Sequence, residues 1–211
     1  MSEAHEELLN VYDVQGRVVG VRPRRDAKRS GLAVGAVNVL LVNHKGEVLL
    51  QKRPADKENG GLWDKSVGGH VSAGEDFDQT AVRETGEELF DDPRSPLVRL
   101  AKTDAEWRRA RDEMDITLSV LIRPVAVQLN LRDVRRAVGG GILNVIYHVG
   151  TYLGRTDVTA SMFRPQASEI TGLRYSSPAE VDELLVGGQL SPNMAFFWLT
   201  HARALLALAY A

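Results

Sequence analysis

Three acidic side chains lie within the five residues 84–88. Glu84, Glu87 and Glu88 are spaced i, i+3 and i+4, so a helix would place them on one face. Like charges at this spacing repel each other unless a cation compensates them. Carboxylate oxygens are preferred ligands of Mg²⁺ and Mn²⁺, together with water and phosphate oxygens. The pattern therefore indicates a divalent-metal site. The alternative is a solvated acidic face with Lys or Arg neighbours.

Signals on either side of these acids predict the helix that carries them. Asp76 followed by Gln79 is typical of a capping arrangement at a helix start, and residues 91–93 (Asp-Asp-Pro) end the run. Gly86 falls on the face opposite the acids. A glycine inside a helix costs about 1 kcal/mol relative to alanine, so we expect a close packing contact there.

The wider spacing of glycine, acidic and basic residues identifies a family. Five residues separate Gly69 from Glu75, seven separate Glu75 from the pair Arg83-Glu84, and two more precede Glu87-Glu88. This spacing resembles the conserved box of the Nudix hydrolase family. The resemblance extends from about Val11 to Leu206, and residues 32–90 match closely.

The resemblance implies a fold, a cofactor and a set of roles. The implied fold is α+β, an α/β/α sandwich with a mixed sheet between helices, and the order of elements along the chain favours the same class. The implied cofactor is Mg²⁺ or Mn²⁺, bound by the loop–helix–loop that the box forms. Its ligands would be the three box glutamates and the backbone carbonyl of the Gly68-Gly69 pair, and Glu75 and Arg83 would brace the loop by an ion pair. The metal ligands so implied are Gly69, Glu84, Glu87 and Glu88.

Three positions depart from the family pattern. An aliphatic residue is usual where this chain has Thr85, a glycine where it has Phe90, and an aliphatic residue where it has Asp91. These positions concern helix packing and the C-terminal cap, so they put the path of the chain after the helix in doubt. None of them removes an acid of the box.

A further acid from outside the box would complete the catalytic set. Some Nudix enzymes place a glutamate several residues before an aromatic-containing strand, and Glu169 precedes Tyr175 by six residues. The general base for water would be this glutamate or one of the box glutamates, so the catalytic candidates are Glu84, Glu87 and Glu169. The alternative for Glu169 is an ordinary loop acid. Weaker rivals are Asp112, Glu113 and Asp115.

Basic side chains near the box are candidates for phosphate binding. Arg53, Lys57 and Lys65 flank it in sequence, and solvation at the surface is the alternative for each. The segment from Arg22 to Arg29 is interrupted by Asp26 and is interpreted as solvated surface, with phosphate contact as the alternative.

Five residues with aromatic or imidazole side chains are interpreted mainly as structural. Trp63 is expected to pack beside the box loop rather than stack on a substrate, and His70 to support the site from behind its ligands. Trp107 and the pair Phe196-Phe197 are expected in the core or at an interface.

Composition excludes several classes of protein. The 211 residues carry a formal charge of −2, which argues against a general nucleic-acid binder and therefore against a DNA partner. The absence of cysteine excludes disulfides, thiolate zinc sites and a cysteine nucleophile. The acidic N-terminus lacks a signal-peptide pattern, and no apolar run is long enough to cross a bilayer, so we expect no membrane association and a cytoplasmic location.

Periodicity divides the chain into predicted elements. Residues 1–30 are expected to form an N-terminal β-hairpin extension that packs on a Nudix domain of residues 31–211. Strands are predicted in the stretches 32–42, 47–53, 66–71, 116–129, 142–153 and 172–176, and helices at 178–185 and 192–210. Residues 131–141 are predicted to be an inserted or mobile loop that contributes to specificity.

The expected activity is hydrolysis of a diphosphate bond in a nucleoside diphosphate derivative or nucleotide. One alternative is a non-catalytic Nudix-fold binding or regulatory module. Another is a prenyl diphosphate isomerase, because residues 55–75 and 11–32 are also similar to that branch of the family. The isomerases use a catalytic cysteine, which this chain lacks. A homodimer is expected, with strand 142–153 or the C-terminal helix as the interface.

Overall fold

The computed structural model describes residues 6–136, 141–166 and 168–208. The strands are β1 Leu8–Tyr12, β2 Val18–Pro23, β3 Ala33–Val42, β4 Val48–Lys52, β5 Trp63–Asp64, β6 Val67–His70, β7 Val98–Leu100, β8 Val120–Arg136, β9 Ile142–Arg155 and β10 Gly172–Ser176. The helices are α1 Arg24–Arg29, α2 Phe77–Phe90, α3 Asp104–Glu113, α4 Pro178–Val186 and α5 Pro192–Ala207.

The strands form one mixed sheet. Its main path runs in the order β10-β4-β3-β9-β8-β7, and β6 and β1 also pair with β3. The pairs β3–β9 and β7–β8 are parallel, and the neighbouring pairs β8–β9 and β4–β10 are antiparallel. β3 therefore lies at the centre, with β9 on one side and β4 and β6 on the other.

The central strand β3 separates two layers of the core. Its alternate side chains point to opposite faces because the strand period is two residues. Leu40 belongs to the cluster that includes Trp107 of α3 and Phe197 of α5, and Leu41 belongs to the cluster that includes Leu89 of α2. The sheet thus lies between α2 on one face and α3, α4 and α5 on the other. The predicted α+β class and α/β/α sandwich are confirmed.

The N-terminal residues form the predicted hairpin. β1 pairs with β2 around a turn in which Gly16 has φ 81°, and the segment continues into α1, which the sequence did not predict. β1 also pairs with β3, and Leu9 and Ala27 pack in one buried cluster with Val34 of β3. The division into residues 1–30 and 31–211 stays a prediction.

The loop predicted at residues 131–141 is largely strand. Residues 131–136 continue β8 and pair with residues 142–147 of β9. The prediction of an inserted or mobile loop is therefore wrong for this part. The pairing is antiparallel, so each strand supplies the hydrogen-bond partners that extend the other. The remaining part of the predicted loop, residues 137–140, lies outside the described residues.

The two surfaces predicted for a homodimer differ in exposure. β9 lies between β3 and β8, and its side chains Val149, Tyr152 and Leu153 are buried, so most of the strand is not available to a partner. α5 buries Phe197 but exposes Leu199, at 72%. The homodimer stays a prediction. None of the described helices combines the length and apolar character needed to cross a bilayer.

Candidate active site

The helix that carries the box acids begins and ends as the sequence predicts. The Asp76 carboxylate accepts a hydrogen bond from the Gln79 amide at 2.7 Å, and the Gln79 side chain accepts one from the Asp76 amide at 2.9 Å. α2 ends at Asp91, which has φ 54° and donates its amide to the Glu87 carbonyl at 3.1 Å. The aspartate thus adopts the left-handed conformation usually found for glycine at this cap.

The other departures from the family pattern also have local explanations. The buried Thr85 hydroxyl donates to the Ala81 carbonyl at 2.7 Å, so its polar group has a partner inside the helix. Phe90 packs edge-on against Phe163, with ring centroids 5.6 Å apart. The close packing contact expected at Gly86 is confirmed, because a Cβ there would collide with the Asp92 carbonyl oxygen.

Arg83 is surrounded by three carboxylates. Its Nε lies 2.8 Å from Glu75 Oε1, its Nη2 lies 3.0 Å from Glu84 Oε1, and its Nη1 lies 2.7 Å from Glu87 Oε2. Burial would lower the pKa of Arg83, but these carboxylates raise it above its ordinary value. Glu75 also accepts a hydrogen bond from the Thr80 hydroxyl at 2.8 Å. The structure therefore places Glu75 and Arg83 in the contact that the sequence predicted.

Glu84 and Glu88 are the most buried acids of this group. Burial raises the pKa of Glu84 to about 7; the charge of Glu87 adds to the rise, while Arg83 opposes it. Burial and the charge of Glu84 raise the pKa of Glu88 well above its ordinary value. Glu88 Oε2 accepts weak hydrogen bonds from Gln51 Nε2 at 3.4 Å and from the Gly68 amide at 3.3 Å. These carboxylates lie where additional positive charge would be favourable.

Gly69 makes room for the acids. β6 pairs with β3 so that Gly69 lies opposite Val37, and a Cβ on Gly69 would collide with the Glu84 carboxylate. This close approach explains why the position needs glycine. We call Gly69, Glu75, Arg83 and the three box glutamates the acidic half of the site.

The donors of the acidic half fit a hard divalent ion. Carboxylate oxygens suit Mg²⁺ and Mn²⁺, and burial, with the charges of neighbouring glutamates, raises the pKa values of Glu84 and Glu88, which a bound cation would oppose. As the side chains stand, no group of three or more Asp, Glu or His residues in the described ranges encloses a position for an ion. Arg83 contacts one carboxylate oxygen of Glu84 and one of Glu87. An ion at this site would bind the oxygens that Arg83 does not contact.

A second charged group in the cleft is centred on Asp64. This carboxylate is 2% exposed and accepts hydrogen bonds from Ser191 Oγ at 2.7 Å and from the Lys65 amide at 2.9 Å. Arg53 Nη1 lies 3.3 Å and Lys65 Nζ 3.4 Å from its oxygens. Burial acts to raise the pKa of Asp64, but the charges of Lys65 and Arg53 and the Ser191 hydrogen bond lower it below its ordinary value.

Asp64 was not among the site residues predicted from the sequence, and it lies between the predicted strands 47–53 and 66–71. In the structure Trp63 and Asp64 form β5, which pairs with Gln51 and Lys52 of β4. The signal for Asp64 in the local sequence is weak, since it is only an acidic residue between the aromatic Trp63 and the basic Lys65. Ser191, its hydrogen-bond partner, is the N-cap of α5 and lies 127 residues away.

Glu169 lies in the same cleft as the box glutamates. Its Oε1 lies 2.8 Å from Lys57 Nζ, and the two side chains are 42% and 38% exposed. Its rivals lie elsewhere: Asp112 and Glu113 are exposed on α3, and Asp115 accepts hydrogen bonds from Thr117. We call Arg53, Lys57, Asp64, Lys65 and Glu169 the basic half of the site.

Trp63 packs against the core, and His70 lines the cleft. The Trp63 ring is partly buried, and the Arg174 guanidinium lies 4.2 Å from its centroid. His70 lines the cleft, and its ring centroid lies 6.0 Å from that of Tyr147. Trp107 and Phe197 are buried in the core, as expected.

Apart from Glu75 and Lys57, the residues of the acidic and basic halves line one open cleft of about 320 Å³. The acidic half offers more carboxylates than its one guanidinium can neutralise, and the basic half offers guanidinium and ammonium groups. A metal ion bound to a phosphate group carries both complementary charges. The geometry thus suits the chemistry of a metal-dependent reaction at phosphorus.

Comparison with known proteins agrees with this geometry. The NUDIX domain model matches residues 32–136. The uncharacterized Nudix hydrolase PA4841 of Pseudomonas aeruginosa is 34% identical over 147 residues, which cover 61% of this chain and 84% of that protein. Isopentenyl-diphosphate Delta-isomerase 2 of Photorhabdus laumondii is 36% identical over 90 residues, which cover 42% of this chain and 51% of the isomerase.

A solved structure shows the same fold over nearly the whole chain. DR0079 of Deinococcus radiodurans superposes with a TM-score of 0.60 at 21% identity, covering 97% of this chain and 100% of that protein. The fold, the matching domain model and the relative from Pseudomonas aeruginosa agree with the spacing of the box acids. This chain belongs to the Nudix hydrolase family of enzymes.

Proposed function

We propose that the protein hydrolyses a phosphoanhydride bond in a nucleoside diphosphate derivative or nucleotide, in a reaction that depends on Mg²⁺ or Mn²⁺. The observation that carries this proposal is the shared cleft, which is lined both by the box glutamates and by Arg53 and Lys65. A diphosphate group needs both kinds of partner, because its negative charge repels an attacking water molecule. Neither the acidic half nor the basic half would provide both kinds of partner alone.

The acidic half would hold the cofactor. Glu84, Glu87 and Glu88, with the backbone carbonyl of Gly69, are the proposed ligands. A bound divalent ion would neutralise phosphate charge and lower the pKa of water. Glu75 contacts Arg83, which contacts Glu84 and Glu87, so this chain of ion pairs would orient the two ligands on α2.

The basic half would hold the substrate and receive the proton. Arg53, Lys57 and Lys65 are the proposed phosphate contacts. We propose Glu169 as the general base, because the box glutamates would be engaged by the metal, whereas Glu169 lies in the cleft and is partly open to water. Water would attack phosphorus, its proton would pass to Glu169, and the bond between phosphorus and the bridging oxygen would break.

The two alternatives from the sequence predict different results. A prenyl diphosphate isomerase would need the cysteine that the chain lacks. A non-catalytic module would bind nucleotides without turnover, but such modules usually have lost box acids, and all of them are present here.

The test is the release of products, resolved by chromatography, from a panel of nucleotides and nucleotide conjugates with Mg²⁺ or Mn²⁺, using the wild type, Glu87→Gln and Glu169→Gln. Cleavage of the diphosphate in a conjugate gives two phosphomonoesters, so the products themselves are measured rather than free phosphate. We expect release only with metal, and a loss of roughly 10²–10⁴-fold in kcat for each variant, as for the removal of a general base or a metal ligand. Glu113→Gln is the matched control, because this glutamate is exposed on α3, and it should keep full activity.

A second readout separates the two roles. Mg²⁺ should raise the Tm of the wild type and of Glu169→Gln, but much less that of Glu87→Gln, because a ligand stabilises only a protein that binds it. Metal-dependent release that survives in Glu87→Gln would contradict the proposal. If the protein binds metal but hydrolyses none of the compounds in the panel, the result would favour the non-catalytic module.

A further inference from the structure

Asn38 is a buried amide that lines the cleft. It belongs to the central strand β3, is 5% exposed and lines the same cleft as the box glutamates. Its carboxamide group offers two N–H donors and one acceptor oxygen. Within residues 6–136, 141–166 and 168–208, no group forms a hydrogen bond with this side chain. The proposed hydrolysis assigns Asn38 no role.

The other three buried amide side chains of the described residues all have partners. Asn10, Asn43 and Gln51 each donate to an oxygen atom of a glutamate residue, at 2.9, 2.7 and 3.4 Å. Buried polar groups are usually paired in this way, because removing them from water without a new partner is costly. Asn38 is therefore an exception, and its position in the cleft makes a ligand available as its partner.

The pairing of β3 with β6 places the Asn38 side chain beside the basic half. Asn38 lies opposite Gly68, and a Cβ on Gly68 would collide with Lys65 Cε. The side chains of directly opposite residues lie on the same face of an antiparallel pair, so Asn38 shares a face with Lys65. Gly69, the next residue of β6, faces the other way, toward Glu84. Asn38 thus adjoins a proposed phosphate contact rather than a proposed metal ligand.

The carboxamide group of Asn38 fits an uncharged partner better than an ionised one. An ionised phosphate only accepts hydrogen bonds, so it would leave the amide oxygen without a donor. A hydroxyl group, or the edge of a nucleobase, offers a donor and an acceptor together. Asparagine pairs in this way with adenine, for example. The substrate group that satisfies the whole amide is therefore a neutral one.

We propose that Asn38 binds an uncharged group of the substrate, a sugar hydroxyl or a nucleobase edge, next to the diphosphate that Lys65 contacts. The inference rests on the proposed function and deepens it, because it names the residue that recognises the nucleoside part of the substrate. Asn38 would thus determine specificity without contacting the reacting atoms.

The test compares nucleoside diphosphates with inorganic pyrophosphate, which has the diphosphate but no uncharged group. Affinities for pyrophosphate, ADP, GDP, CDP and UDP are measured by calorimetry in EDTA, where a metal-dependent enzyme does not turn over, and kcat/KM is measured with Mg²⁺. We expect the wild type to favour at least one nucleoside diphosphate over pyrophosphate by about tenfold. Asn38→Ala should lose most of this preference and keep the affinity of the wild type for pyrophosphate.

Two controls separate recognition from a structural effect. Asn144→Ala makes the same substitution at an exposed position of β9 that does not line the cleft, and it should leave every affinity unchanged. The Tm of Asn38→Ala should match that of the wild type, because no hydrogen bond within the protein is lost.

Analogues of the favoured nucleotide identify the group that Asn38 binds. If the 2′,3′-dideoxy form binds equally to the wild type and to Asn38→Ala, the partner is a sugar hydroxyl. If the dideoxy form still binds more weakly to Asn38→Ala, the partner is the edge of the base. Either result supports the inference, since both partners are uncharged groups with a donor and an acceptor.

The outcomes separate this inference from the proposed function. A wild type that favours no nucleoside diphosphate over pyrophosphate, by affinity and by kcat/KM, overturns the inference whether or not hydrolysis occurs. Equal losses for pyrophosphate and nucleotide in Asn38→Ala also overturn it, because they would show a contact with the diphosphate or a structural effect. A preference that depends on Asn38 without metal-dependent turnover supports the inference and contradicts the proposed hydrolysis.

Discussion

The acidic and basic halves of the cleft are opposite in charge but similar in construction. In the acidic half, one arginine contacts three carboxylates, from Glu75, Glu84 and Glu87. In the basic half, one buried carboxylate, Asp64, contacts two cationic side chains, from Arg53 and Lys65. Each half thus has a central ion of the minority sign, Arg83 in the acidic half and Asp64 in the basic half.

The comparison shows why each half favours a ligand. The central ion fixes the side chains around it but does not neutralise them all, so each half keeps an excess of its majority charge. Burial makes this excess costly in the acidic half, where the pKa values of Glu84 and Glu88 are raised. A metal ion and a phosphate would satisfy the two halves together. This comparison would be wrong if the central contacts of either half could be removed without a loss of activity or stability.

The largest effect is expected from Gly69→Ala. The added Cβ would collide with the Glu84 carboxylate and displace it from the acidic half. We expect kcat of the proposed hydrolysis to fall by roughly 10²-fold or more, because misplacing a catalytic group by about 1 Å has effects of this size. Gly172→Ala is the control, since its Cβ would lie 3.8 Å from the nearest atom, Lys52 Cβ. Equal rates in the two variants would show that the Gly69 contact is not needed.

The two halves also differ in how far the sequence predicted them. The acidic half is local: its ligands lie on α2, and helix periodicity with the spacing of the box predicted the helix, its caps and the acids that meet. The metal-ligand assignment stays a prediction, and the contacts of Arg83 with Glu84 and Glu87 were not predicted. The spacing of residues in the sequence shows which side chains share a face of the helix. It does not determine which neighbouring side chain each of them contacts.

The basic half depends on contacts between distant parts of the chain. Asp64 meets Ser191 of the α5 cap, and Lys57 meets Glu169, 112 residues away. Single-sequence periodicity carries no information on such pairs, so Asp64 was missed and Glu169 was predicted only through the family resemblance. Similarly, the fold class was predicted, but α1, α3 and the long β8–β9 hairpin needed the tertiary structure.

A smaller effect is expected from Asp64→Asn, measured as stability. Removing this buried charge leaves Arg53 and Lys65 without their central partner, so we expect the free energy of unfolding at pH 7 to fall by about 3 kcal/mol. The pKa of Asp64 is lowered in the folded state, from an ordinary value of 3.8. Its contribution is therefore present above that value and is lost as the pH falls through the folded pKa.

Urea unfolding from pH 7 to pH 2 tests this expectation. The difference between the wild type and Asp64→Asn should be constant at neutral pH and shrink below pH 3.8. Asp112→Asn is the matched control, because this side chain is 71% exposed, and it should match the wild type throughout. A variant as stable as the wild type at pH 7 would mean that Asp64 does not stabilise the basic half.

The smallest effect is expected from Lys57→Ala. Lys57 and Glu169 form an ion pair at 2.8 Å, but both side chains are more than a third exposed, so water screens the pair. We expect the free energy of unfolding to change by less than about 1 kcal/mol, and a double-mutant cycle with Glu169→Gln to give a coupling below the same limit. A larger coupling would mean that Lys57 and Glu169 are fixed to each other as firmly as Asp64 is to its partners. In that case Glu169 could not readily leave Lys57 to accept a proton, and the base would have to be one of the box glutamates.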